Sequence, residues 1–238
     1  MFKKLLLVVA LLITSAQTMQ AATFSYKAVA DLYHYKGSFV SDTNYQYLHA
    51  ASNYGTSFIK FDFSQELSNQ MIDLINEDIV SAELKLYLFY SNKNNNVAAY
   101  LYNDDSWAEP GMNKTVYTSA RTLNQSFMLG STTTSTYNNM QDLLEVTINL
   151  NSNLISIGAD NKISIAIADK TIVGTPAYTP MNDFASREYF NSAHSAGYYA
   201  PVLTITTSKP APTPEPSSMI LGLIGLSGII GLKKRNKK

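Results

Sequence analysis

Hydrophobic residues at every second position constrain this chain more than any other feature. From Thr56 to Ser64, Ile59, Phe61 and Phe63 alternate with Lys60 and Asp62. Glu83 to Tyr90 repeats the pattern, with Leu84, Leu86 and Leu88 set against Glu83 and Lys85. Leu144 to Leu150, Lys162 to Asp169 (Ile163, Ile165 and Ile167 inward) and Pro201 to Thr207 follow suit. Side chains on a strand point alternately to opposite faces, so a period of two predicts antiparallel sheets with one buried face. Val97 to Tyr102, after the polar run Asn92 to Asn96, predicts a hairpin with the strand before it. Only Gln65 to Asp78 has a helical stripe, formed by Leu67, Met71, Leu74 and Ile75. The Ser- and Thr-rich run between Leu123 and Tyr137 predicts a long loop or an edge strand. No strands alternate with long helices, so the expected fold class is all-β. The expected architecture is a two-sheet antiparallel, jelly-roll-like β-sandwich of roughly eight to ten strands with one short helix.

Both ends read as targeting segments rather than as parts of that fold. Lys3 and Lys4 precede the apolar run from Leu5 to Ile13, and small residues follow at Ala16, Ala21 and Ala22. That order predicts a secretory signal peptide over 1–22, its apolar run too short to serve as a permanent membrane span. At the other end, Ser217 to Leu232 is sixteen residues without a charge, about 24 Å long as a helix. Five cations follow between Lys233 and Lys238 and favour a cytoplasmic location for that end. Snorkelling lysines or local thinning would match the span to a bilayer. The expected layout is therefore a signal peptide over 1–22, a β domain over 23–208 and a Pro-rich stalk over 209–216. A transmembrane segment over 217–232 and a basic cytoplasmic tail over 233–238 complete it.

Composition acquires meaning only after those ends are set aside. The whole chain has a formal charge of zero, with 18 Lys and Arg against 18 Asp and Glu. Without the seven terminal cations and Glu215, eleven positive residues face seventeen negative ones, a balance near −6. An acidic domain of this kind is a poor partner for nucleic acid. All 16 tyrosines lie inside it, and no cysteine is present to form a disulfide or a thiolate metal site.

The C-terminal order of Pro214-Glu215-Pro216, an apolar span and a basic terminus resembles the PEP-CTERM sorting signal. That resemblance implies recognition by an exosortase-type membrane protease and anchoring in the inner membrane before processing. Release or transfer to the cell surface follows in that family. An ordinary unprocessed anchor is the alternative reading.

Further motifs carry a second resemblance. Asn53-Tyr54-Gly55 precedes the strand from Phe58 to Ser64, and Ile79 to Tyr87 opens the next. Asp105-Ser106-Trp107-Ala108-Glu109, Leu144-Glu145-Val146-Thr147, Asp183 to Glu188 and Pro201-Val202-Leu203 follow in order. This series resembles the DNRLRE domain, also described as carbohydrate-binding module family 96, over about Ala30 to Thr207. Thr115-Val116-Tyr117 departs from that pattern, and so does the long span from Phe63 to Ser81. The resemblance implies a β-sandwich with affinity for extracellular polysaccharide. Candidate sugar-contacting residues are Trp107, Arg187, Tyr189, Tyr198 and Tyr199.

Each candidate also has a plain structural reading. Trp107 can stack on a sugar or plug the core. Arg187 and Glu188 would point to opposite faces of a strand, so a bidentate pair between Arg187 and Asp62, Glu109 or another carboxylate is expected. Gly55 reads as a turn residue with positive φ. One structural calcium is a possible cofactor, with Asp31, Asp42 and Asp183 as candidate ligands and Asn44 and Glu188 beside them. The three histidines, His34, His49 and His194, lack zinc-site spacing.

No sequence pattern marks a nucleophile, a phosphate loop or a catalytic carboxylate pair, so a non-catalytic role is expected. Two readings stand: a polysaccharide binder, and a structural component of a biofilm or envelope without a discrete ligand site. A row of coplanar exposed tyrosines would favour the first. A flat surface of Asn, Ser and Thr would favour the second.

Overall fold

The computed structural model describes residues 21–35, 38–40, 46–51, 55–64, 79–104, 107, 127–155, 157, 160–169 and 181–208. The signal segment up to residue 20, the helical stripe at 65–78, Asp42, Asn44, and the stalk and tail from 209 onward lie outside the described residues. Pro214, Glu215 and Pro216 are among them. No helix among the described residues is long and apolar enough to cross a membrane.

Within these residues the protein is all-β. Thirteen strands form one curled, hydrogen-bonded sheet. They are β1 (Ala22–Lys27), β2 (Ala30–Tyr35), β3 (Ser38–Val40), β4 (Tyr47–Ala51), β5 (Gly55–Asp62), β6 (Ile79–Ser91) and β7 (Asn95–Tyr102). After these come β8 (Met128–Thr134), β9 (Tyr137–Asn138), β10 (Leu144–Leu150), β11 (Lys162–Asp169), β12 (Met181–Ala185) and β13 (Val202–Thr207). Every strand pairing is antiparallel. The count exceeds the eight to ten expected because β1 to β4, β9 and β12 are short or mixed in pattern, and only their partners define them.

Strand β6 is the hub. Along one edge it pairs first with β13 and then with β12; along the other it pairs with β10 and then β9. Its 13 residues are long enough to serve four neighbours. Ala82, Leu84, Leu86 and Leu88 point inward and are buried, while Ser81, Glu83 and Lys85 face out. From β12 the sheet continues through β4, β5, β11 and β7 to β8, with β2 attached to β5 and β3 to β2. Curling brings Phe24, Leu84, Ile148, Leu203 and Ile205 into one core cluster with Ile59, Phe61, Val97 and Ile165. Each fully buried aliphatic or aromatic side chain there contributes about 1.5–3 kcal/mol relative to exposure.

Three sequence expectations change here. The run Asn92 to Asn96 does not close a hairpin between β6 and β7. The partners of β7 are β11 and β8, because both edges of β6 are already occupied at Tyr90 and Ser91. Strand β5 is buried on both faces rather than one: Lys60 is covered along with Phe58 and Ile59. Gly55 is the first residue of β5 and its φ is not positive; a Cβ there would sit 3.0 Å from the Cβ of His49 and 3.4 Å from that of Ala51. Glycine is needed for the close approach of β4, not for a turn.

Candidate functional site

Beyond Ala185 the chain leaves β12 and runs through turns to Pro201, just before β13 begins. Backbone and side-chain hydrogen bonds shape this connection. Ser186 N–H donates to Gln46 O at 3.0 Å, and Tyr189 N–H donates to Ser186 O at 3.2 Å. Asn191 Oδ1 accepts from the N–H groups of Ala193 (3.0 Å) and His194 (2.9 Å), an Asx-type turn. Gly197 takes φ +80°, a conformation that suits glycine, and its carbonyl accepts from Lys27 Nζ at 3.0 Å.

That path gathers aromatic rings at one end of the sheet. Phe89, Tyr189 and Tyr199 form a buried cluster with Leu143 and Ala185, with Tyr47, Tyr87 and Tyr90 packed against it. Tyr189 stacks on Phe89 at 5.9 Å and 21°, and its hydroxyl donates to Met140 O. Tyr199 meets Tyr87, Tyr189, His194 and Tyr198 edge-on, at interplanar angles of 67°, 75°, 90° and 81°. His194 lies flat against Tyr198, 3.9 Å away at 9°. Tyr198 is 55% exposed and Phe190 58% exposed, with Met140 and Leu144 also exposed. Burial raises the phenol of Tyr189 above the ordinary tyrosine range. Exposed ring faces such as these can take the C–H face of a sugar, and Asn191, whose Nδ2 donates to Gln141 O at 3.4 Å, sets amide groups beside them.

The five candidate sugar contacts separate. Tyr189, Tyr198 and Tyr199 come together, but only Tyr198 is exposed; the other two are support. Trp107 sits elsewhere, 4% exposed, in a second core with Leu32, Phe58, Tyr100 and Ala166. Its Nε1–H donates to Ser164 Oγ at 3.0 Å, Lys60 Nζ lies 4.4 Å from its ring centroid, and Lys60 also donates to its carbonyl. The core-plug reading describes this indole.

Arg187 corrects the strand argument. Its Nε lies 2.6 Å from Glu188 Oε1, and its guanidinium donates to Val29 O at 2.8 Å. The two residues occupy a turn after β12, so strand alternation does not separate them. Asp62, one of the partners expected for Arg187, instead accepts from Ser64 N–H at 2.8 Å; Glu109 lies outside the described residues.

The candidate calcium ligands also go to separate tasks. Asp31 Oδ2 accepts from the backbone N–H of Arg187 at 2.7 Å. Asp183 Oδ1 lies within hydrogen-bond range of His49 Nδ1, directly across the β12–β4 pair. Among the described residues, no group of three or more His, Cys, Asp or Glu could hold a metal ion. The sequence reading did not single out His194, which packs on Tyr198, or Phe190, whose ring is exposed. Their signal is a run of Asn, Ser, Ala and Gly between aromatic residues, which predicts turns that display rings.

A second surface lies on the outer face of β1, β13, β6 and β10. Thr23 and Thr206 hydroxyls lie 3.0 Å apart, as do those of Ser25 and Thr204. The registers extend this polar face to Ser81, Glu83 and Asn149.

No protein-family model matches this chain, and no curated protein matches it.

Proposed function

We propose that this protein is exported, sorted through its C-terminal tail by an exosortase-type membrane protease, and displayed as a surface or extracellular-matrix protein that binds polysaccharide without catalysis. The reading of the domain as a two-sheet, jelly-roll-like sandwich belongs to the same proposal. It is supported by the core that β1, β13, β6 and β10 share with β5, β7 and β11.

One observation carries the binding reading: Tyr198 exposes more than half its surface while packing on the buried ring of Tyr199, and Phe190, next to Tyr189 in the chain, is exposed to a similar degree. Large apolar rings are costly to leave in water, and a rigid backing is what a stacking platform needs. Export is supported by the two end segments in the sequence. The structural reading, a matrix or envelope component, keeps one specific observation in its favour, the hydroxyl-rich face built on Thr23, Ser25, Thr204 and Thr206.

Affinity electrophoresis of the full chain, in a detergent without sugar groups, through gels containing neutral or acidic polysaccharides tests the binding reading. Retardation by at least one polysaccharide, lost in Tyr198→Ala, is the expected result. Unchanged mobility in every gel favours the structural role. Cell fractionation before and after Glu215→Ala tests sorting: accumulation of the variant in the inner membrane is expected, and an unaltered distribution contradicts it.

A further inference from the structure

We infer that the aromatic end accepts one or two uncharged sugar rings, not the length of a polysaccharide chain and not a uronate; this rests on the binding reading above. The ring geometry limits the footprint. A long glycan lying on a platform needs several aromatic faces in one plane. Here Tyr199 is turned by 67° to 90° from Tyr87, Tyr189, His194 and Tyr198. Tyr189 and Tyr199 are buried, which leaves Tyr198 and Phe190 as the exposed rings of this connection among the described residues. One face of Tyr198 is already covered by His194 at 3.9 Å. Tyr198 offers one ring-wide platform, and Phe190, next to Tyr189 in the chain, adds one further exposed ring, which suits a terminal unit or a disaccharide.

Charge sets the second half of the inference. Among the described residues, three cations beside this end already have acceptors: Lys27 on Gly197 O at 3.0 Å, Arg187 with Glu188 at 2.6 Å and Lys85 with Glu145 at 3.0 Å. Beyond the terminal segments the chain is acidic, with eleven positive residues against seventeen negative. A carboxylate-bearing sugar would meet repulsion, and the cations beside this end among the described residues are already engaged. Neutral sugars lose nothing there, and amide and carbonyl groups around Asn191 and Gln141 suit their hydroxyls.

The test is titration of the full chain, in a detergent without sugar groups, with neutral oligosaccharides from one to six units. Glucose, galactose, mannose and N-acetylglucosamine series are used, with galacturonate and alginate oligomers of the same lengths. Affinity for the preferred neutral series should rise from one unit to two and then change less than about twofold up to six. Uronates should bind at least about tenfold more weakly at low salt. Tyr198→Ala and Phe190→Ala should each weaken binding while Trp107→Phe leaves it unchanged. Affinity that keeps rising to the hexamer overturns the short footprint, and preference for uronates overturns the neutral ligand; both leave the binding reading standing. Failure of every oligosaccharide to bind overturns this inference and the binding reading together.

Discussion

Trp107 shows how a single side chain can carry two roles in sequence and one in the fold. Its indole fills the second core and donates to Ser164, so Trp107→Ala should cost about 3–5 kcal/mol in chemical denaturation. Trp107→Phe should lose less, since much of the ring contact survives. Tyr100 gives the opposite case. It is fully buried and its hydroxyl has no hydrogen-bond partner among the described residues. Tyr100→Phe should therefore leave stability within about 1 kcal/mol of the parent, or raise it, at neutral pH. Burial, and then the charge of Asp169, raise the Tyr100 phenol, and burial raises those of Tyr87 and Tyr189. A raised phenol keeps its proton in the folded chain after the unfolded chain has lost it. Stability should accordingly be flat below the ordinary tyrosine value near pH 10 and fall as pH rises through the window above it. Denaturation midpoints across that window check this; Tyr100→Phe should reduce the loss, and an identical alkaline slope in the variant would contradict the assignment. Individual roles such as these were not legible in sequence. A tryptophan reads the same whether a lysine or water lies over its ring.

At the scale of elements, alternation identified β5, β6, β7, β10, β11 and β13 closely, and β10 and β11 to the residue. Strand β8 emerges from a Ser- and Thr-rich stretch with little hydrophobic signal. It exists because β7 offers it a register and β10 lies against it: Asn151 N–H donates to Leu129 O at 2.6 Å. Gly130 permits that approach, since a Cβ there would come within 2.1 Å of Asn149 O. Gly130→Ala should displace β8 from β10 and destabilise the protein by about 1–3 kcal/mol or more, read as a lower denaturation midpoint. A neutral substitution would mean that the two strands are not held so closely. The missed partner of β7 has the same origin. Turn residues announce that the chain reverses, but whether the next strand joins its predecessor depends on which edges remain open.

For the whole molecule, order in the chain and order in the sheet diverge widely. Ile79 of β6 pairs with Thr207, and β1 near the start pairs with β13 near the end of the domain. Such pairings require closing long loops before contacts are gained, so refolding from denaturant should take milliseconds to seconds or longer. Stopped-flow tyrosine and tryptophan fluorescence measures this, and a microsecond phase carrying the full amplitude would contradict it. The aromatic end depends on the same long-range assembly: Phe89, Leu143 and the connection carrying Tyr189 and Tyr199 come from segments far apart in sequence. Alternation along the chain was enough to read the all-β class, because it is a local property that survives without any partner. Residue counts likewise set the acidic balance of the central region, because charge is additive. Tertiary structure alone decided which strands join, which of the candidate aromatics face water and which partner Arg187 takes. Those outcomes depend on distances between residues remote in the chain, and no local pattern encodes them.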